Sequence, residues 1–174
     1  MDLIRCRVAN GACNIPHLVS ELERLRQRLG PETVAIMQRH EAENTLEHPE
    51  YPAAITILNY RHLCRLDKWP APLRRSVDGL NMGPYGTMQG PNEFCYTGNL
   101  KDWNREPHLG LITAPSLVLG GQQDELTPAC AMRIANGLSN ATLVIFKDSS
   151  HTPFYDEPEL YFATLRDFIK LHQP

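Results

Sequence analysis

Two loops of this chain carry residue types suited to acid–base catalysis. The first runs Gly120-Gly121-Gln122-Gln123-Asp124-Glu125-Leu126-Thr127-Pro128, and the second Lys147-Asp148-Ser149-Ser150-His151-Thr152-Pro153-Phe154. A carboxylate at Asp124 beside an imidazole at His151 would hold the ring in one tautomer and stabilise its protonated form. A histidine held this way serves as general base for a serine or cysteine nucleophile. Each residue also has an ordinary alternative. A lone loop aspartate is more often a helix cap, and Asp124 precedes a helical stretch. A lone loop histidine is usually surface. Their placement after consecutive strands favours the catalytic pair. Metal ligation by the same two residues is poorer. A catalytic zinc usually takes three protein ligands, and none of His17, His40, His48, His62, His108 and His172 sits in a motif with them. Neither a metal nor another cofactor is expected.

The elements that must position these loops follow from the apolar pattern. Ser116-Leu-Val-Leu-Gly120 is a short apolar run between Pro115 and a glycine pair, the pattern of a buried parallel strand. Thr127-Pro128 has the form of an N-cap with proline in the first turn, opening a helix to about Asn136. Thr142-Leu-Val-Ile-Phe146 is a second buried strand. Pro158 to about His172 is a final helix, with Leu160, Phe162, Leu165, Phe168 and Ile169 as its apolar stripe. Strand, helix, strand, helix is a βαβ unit, so the strands are expected to be parallel neighbours. Functional groups in such sheets sit beyond the carboxyl ends of the strands, which places both loops on one edge.

Upstream the pattern is helical. Leu18, Leu22, Leu25 and Leu29 mark a helix over about 17–29, stopped by Gly30-Pro31. A second spans about 32–43, a third opens at His48-Pro49-Glu50, and a short one follows Trp69-Pro70-Ala71-Pro72 up to Leu80. Asp2 to Asn10 fits a short strand entering a loop. Residues 79–110 are rich in glycine and proline but hold Tyr85, Phe94, Tyr96 and Trp103. Such loop-rich chain with embedded aromatics either lines a binding site or packs onto the core.

Composition excludes several classes. The chain has 174 residues, 42% apolar and 21% charged, with a formal net charge of -3. No stretch reaches the Lys/Arg density of a nucleic-acid binder. Arg24, Arg26 and Arg28 alternate with Glu21 and Glu23, as on a solvated helix face. Cys6, Cys13, Cys64, Cys95 and Cys130 show no paired spacing. They read as reduced thiols in a reducing compartment. Met1 to Asn10 lacks the apolar core of a signal peptide, and no run approaches a membrane span. The expected location is cytoplasmic.

The Gly-Gln-Gln-Asp-Glu-Leu-Thr-Pro and Asp-Ser-Ser-His-Thr-Pro-Phe loops resemble the carboxyl-terminal signature of α/β-hydrolases. Gly90-Pro91-Asn92-Glu93-Phe94, Thr97-Gly98 and Asp102-Trp103 resemble the cap of proline iminopeptidases, as do Arg39-His40-Glu41 and Cys64-Arg65-Leu66-Asp67. The resemblance runs from about Asn10 to the end. It implies an α/β fold with three parts: a remnant of a core strand in 1–10, a helical cap subdomain in 11–106, and the C-terminal part of the hydrolase core in 107–174, with two to three parallel strands in all. It implies release of amino-terminal proline, or sometimes other residues, from short peptides. Asp124 matches the triad acid and His151 the general base. Glu93 and Glu125 match carboxylates that bind the substrate's α-ammonium. Two carboxylates around one ammonium form charge-assisted hydrogen bonds, so the substrate would need a free amino terminus. The alternatives are an exposed loop residue for Glu93 and a first-turn residue favoured by the helix dipole for Glu125.

The family's nucleophile lies on a Gly-x-Ser-x-Gly elbow. Ser20, Ser76, Ser116, Ser139, Ser149 and Ser150 are the serines here, and none lies in such a motif. The His- and Gly-rich oxyanion loop is absent too. The chain therefore resembles a cap plus final strands, with only Leu3 to Val8 left of the preceding core. A sheet this narrow would expose an apolar edge, open to an amino-terminal half-chain or to self-association. Two functions fit: a prolyl aminopeptidase-like serine hydrolase without its nucleophile half, or a non-catalytic fragment that binds peptide or protein at most.

Overall fold

The computed structural model describes residues 5–172. Leu3 and Ile4 of the expected first strand lie outside the described residues, as do Gln173 and Pro174. Strand β1 (Cys6–Ala9) is followed by helices α1 (Ile15–Gln27), α2 (Pro31–Glu43) and α3 (Glu50–Leu58). A π-helical turn (Asn59–Leu63), α4 (Ala71–Asp78), α5 (Met82–Met88) and a 3-10 turn (Glu106–Leu111) come next. The chain then runs through β2 (Ser116–Gly121), α6 (Pro128–Gly137), β3 (Ala141–Phe146), α7 (Pro153–Asp156) and α8 (Pro158–Leu171).

The three strands form one parallel sheet in the order β1-β2-β3. Cys6 pairs with Ser116 and Ala9 with Leu119; Ser116 pairs with Ala141 and Gly121 with Phe146. Strand β2 is central and buried throughout, which is why its sequence is a continuous apolar run. Side chains alternate across the sheet. Val118, Leu143 and Val8 pack with Ala131 and Ile134 of α6 on one face. Leu117, Leu119, Val144 and Phe146 pack with Tyr161 and Phe168 of α8 on the other. The segment between β1 and β2 has its own core of Ile15, Leu18, Leu22, Met37, Tyr51, Ala54, Leu58 and Phe94, joined to the sheet layer by Cys130 of α6.

Three local expectations need correction. Residues 82–88 are helical despite Gly83, Pro84 and Gly86. Asn81 caps that helix by accepting from Gly83 N–H, and Pro84 stands in the first turn, where its missing N–H costs nothing. Arg26 does not share the solvated face of Arg24 and Arg28: it is buried at 6% exposure and paired with Glu41 at 2.8 Å. Thr127 stands at the N-cap of α6 but makes no side-chain cap bond. Its hydroxyl instead donates to Glu21 of α1 at 2.6 Å, linking the start of α6 to α1. Among the described residues no helix is long and apolar enough to cross a membrane.

Candidate active site

Asp124 and His151 stand in the loops that leave the carboxyl ends of β2 and β3, and the parallel pairing of those strands brings them together. His151 Nδ1 lies 3.0 Å from Asp124 Oδ1. Asp124 is only 1% exposed and fully engaged. Its Oδ1 also accepts from Leu126 N–H at 2.9 Å, and its Oδ2 accepts from Asn10 Nδ2 at 2.6 Å. The Leu126 bond is the local turn expected of a loop aspartate. The Asn10 bond comes from the end of β1 and is not local. Asn10 itself has φ 50, a left-handed conformation that asparagine tolerates better than most residues. Sequence reasoning missed Asn10 as a site residue. The signal available was its position just beyond the carboxyl end of a strand neighbouring β2.

Glu125 is the second buried carboxyl, also 1% exposed. Its Oε1 lies 3.2 Å from His151 Nδ1, but an N–H points in one direction and Asp124 takes it. Both Glu125 oxygens are buried without a hydrogen-bond partner among the described residues. Burial raises this carboxyl well above its usual range; His151 pulls it back down, and Asp124 and Glu93 add to the rise. For His151, burial disfavours the charged ring, but Glu125, Asp124 and then Glu93 outweigh that and raise it above the ordinary imidazole range. The ring stays open to its surroundings, with 30% of its side chain exposed.

Glu93 opens on the same cavity as His151. That cavity is about 620 Å³ and is also bordered by Asn10, Tyr85, Leu73 and Val77 of α4, Phe154 of α7 and Tyr161 of α8. Gln89 Nε2 donates to Glu93 at 2.7 Å. Burial and then Glu93 push the phenols of Tyr85 and Tyr96 up, with Glu125 contributing to both. So all four expected residues, Asp124, His151, Glu93 and Glu125, lie in one neighbourhood. Donor atoms of Asp124, Glu125 and His151 also fall within 4.8 Å of one another, as do those of His40, His48 and Glu50. In the first group the Asp124 oxygens are already taken by hydrogen bonds. In the second, the Arg39 guanidinium sits 2.7 Å from Glu50 Oε2 and 3.2 Å from His40 Nε2, where a cation would bind.

The glycine pair before Asp124 has a steric cause. A Cβ on Gly121 would stand 2.6 Å from Ser149 O and closer still to Ser150 O, in the backbone that carries His151. Backbone cannot swing aside as a side-chain tip can. A Cβ on Gly120 meets only Ala131 Cβ at 3.3 Å and Ile145 Cδ1 at 3.5 Å. Gly121→Ala is therefore expected to destabilise the chain by roughly 3 kcal/mol and Gly120→Ala by clearly less. Urea unfolding of both variants checks this, and equal losses would refute the steric account.

Helices around a three-stranded parallel sheet, with a carboxylate and an imidazole paired in the loops behind successive strands, define an α/β-hydrolase. No protein-family model matches the chain. It is 34% identical over 163 residues to the proline iminopeptidase of Saccharolobus solfataricus, covering 93% of this chain and 53% of that protein. The crystal structure of a proline iminopeptidase from Mycobacterium smegmatis superposes with a TM-score of 0.87 at 32% identity, over 98% of this chain and 57% of that one. The crystal structure of VinJ superposes with a TM-score of 0.93, also at 32% identity, over 98% and 58%. Within its class the chain belongs to the proline iminopeptidase family. It spans about half the length of the curated relatives it matches.

Proposed function

We propose that this chain supplies the acid, the base and two ammonium-binding carboxylates of a prolyl aminopeptidase-like serine hydrolase, which releases proline or other residues from the amino terminus of short peptides. The observation that carries this is the Asp124–His151 hydrogen bond with the unpartnered Glu125 carboxyl beside it. With Nδ1 held by Asp124, Nε2 is free to take the proton of a hydroxyl nucleophile and later pass it to the leaving amine. Two carboxylates facing the base would raise its proton affinity too far for that task. A substrate ammonium bound between Glu93 and Glu125 offsets their charge and favours the neutral ring. A free amino terminus would then serve chemistry as well as binding.

The serine in this proposal comes from a polypeptide segment outside these 174 residues. Ser149 and Ser150 are fully buried, and their hydroxyls donate to Glu157 and Asp156. Ser76 borders the cavity from α4 but sits in no elbow motif. Strand β1 is an edge strand, and a hollow between it and Leu165, Phe168 and Ile169 of α8 offers apolar surface beside that edge. An amino-terminal α/β half would extend the sheet there. All five cysteines are unpaired, which supports a cytoplasmic setting.

The test is hydrolysis of a prolyl chromogenic amide by the chain alone, and by the chain mixed with the amino-terminal half of a full-length relative. Activity in the mixture only, lost on His151→Ala, is the expected result. Hydrolysis by the chain alone that vanishes in His151→Ala would place the nucleophile within it. No activity in either case would leave a non-catalytic peptide- or protein-binding piece.

A further inference from the structure

The helix α3 does not end in the usual way. It widens into the π-helical turn Asn59–Leu63, closed by Cys64 N–H on Asn59 O at 3.1 Å. Such bulges recur at functional sites because they release backbone groups from the helical ladder. Here the released carbonyls grip the base loop. His62 O accepts from His151 N–H at 3.0 Å. Leu63 O accepts from the Thr152 hydroxyl at 3.1 Å, and Ser150 Oγ lies at the same distance from it. The His62 side chain reaches the other loop: its Nδ1 is 2.7 Å from Gln123 O, one residue before Asp124. A carbonyl only accepts, so Nδ1 carries the hydrogen and Nε2 the lone pair. The ring is 5% exposed and packs on Phe94, beside Glu93, with centroids 6.4 Å apart. Burial lowers its proton affinity, and Arg61, Arg28 and Arg65 lower it further, so it stays neutral despite the pull of the Gln123 carbonyl.

We propose that His62 is a positioning residue. It ties the acid loop by its side chain and the base loop by its backbone to one point of the cap, and so sets the Asp124–His151 hydrogen bond. This rests on the reading of Asp124 and His151 as an acid–base pair, but it can be tested without turnover.

The experiment is a ring-nitrogen NMR titration of the full chain. In the unmodified chain the His62 nitrogen shifts are expected to show hydrogen on Nδ1; hydrogen on Nε2 would overturn the proposal. Two substitutions then separate position from bulk. In His62→Asn the amide nitrogen falls where Nδ1 was and can still donate to Gln123 O. In His62→Gln it falls where Nε2 was and cannot. His151, which faces Asp124, Glu125 and Glu93, is expected to titrate near its unmodified value in His62→Asn. In His62→Gln its midpoint is expected to fall by about one pH unit toward the free-imidazole range. A purely structural His62 would lower Tm in both variants and leave the His151 midpoint unmoved, which would sink the idea. Because no substrate is involved, the proposal can fail while prolyl hydrolysis stands, and can hold where hydrolysis is absent.

Discussion

In the hydrolase proposed above, assembled with an amino-terminal half, Asp124→Asn is expected to lower kcat by about 10⁴-fold with little change in KM. The side chain accepts three hydrogen bonds, from Leu126 N–H, Asn10 Nδ2 and His151 Nδ1. An amide has one acceptor oxygen. Whichever way it turns, its NH2 group faces a donor. If it faces His151, the ring must present a lone pair at Nδ1 and carry its hydrogen on Nε2, the tautomer that cannot act as base. If it faces Asn10, that amide can turn over and accept through its Oδ1, but the group facing His151 is then neutral. The pair that stabilises the protonated ring is lost in both cases. Steady-state kinetics with the prolyl amide, on chain complemented by an amino-terminal half, provides the measurement. A loss below tenfold would mean that Asp124 caps the loop and does no more.

Arg26→Ala is expected to cost about 3 kcal/mol of folding stability, against 1 kcal/mol or less for Arg24→Ala. The two arginines stand two residues apart on α1 but in different surroundings. Arg24 pairs with Glu21 while its side chain is 52% exposed. Arg26 is buried, with Nη2 2.8 Å from Glu41 Oε2 and Nη1 3.4 Å from Phe94 O. Removing it leaves the half-buried Glu41 carboxylate without its cation, held by the Tyr51 hydroxyl 2.9 Å away. The damage should reach the site. Asn92 Nδ2 donates to that Tyr51 hydroxyl at 3.0 Å, and Phe94 N–H donates to Asn92 Oδ1 at 2.9 Å, so the network holds both neighbours of Glu93. For a chain of this length, about 3 kcal/mol lowers Tm by roughly 6–12 °C. Thermal unfolding of both variants side by side is the check. Equal, small shifts would mean that Arg26 finds solvent after all.

The elements of this protein could be read from its sequence because their signals are local. The apolar run of β2 and the leucine spacing of α1 each declare themselves within one segment; the stripe expected on α8 does not hold, because Leu160, Phe162 and Ile169 are exposed while Tyr161 and Phe168 face the sheet. The parallel pairing of β2 and β3 follows from the helix between them. That pairing by itself puts Asp124 and His151 on one edge. The cap motif around Glu93 carried its family resemblance in a few adjacent residues. What the sequence left open were interactions between polar groups far apart in the chain. Arg26 looks like its exposed neighbours because its charge pattern is the same; only the fold of α2 over α1 buries it. Asn10 reaches Asp124 across 114 positions, and His62 reaches Gln123 across 61. Hydrophobic periodicity records which face of an element is buried. It does not record which donor meets which acceptor, because that depends on the register of distant elements within a few tenths of an ångström. The tertiary structure therefore decided which groups hold the acid and the base in place.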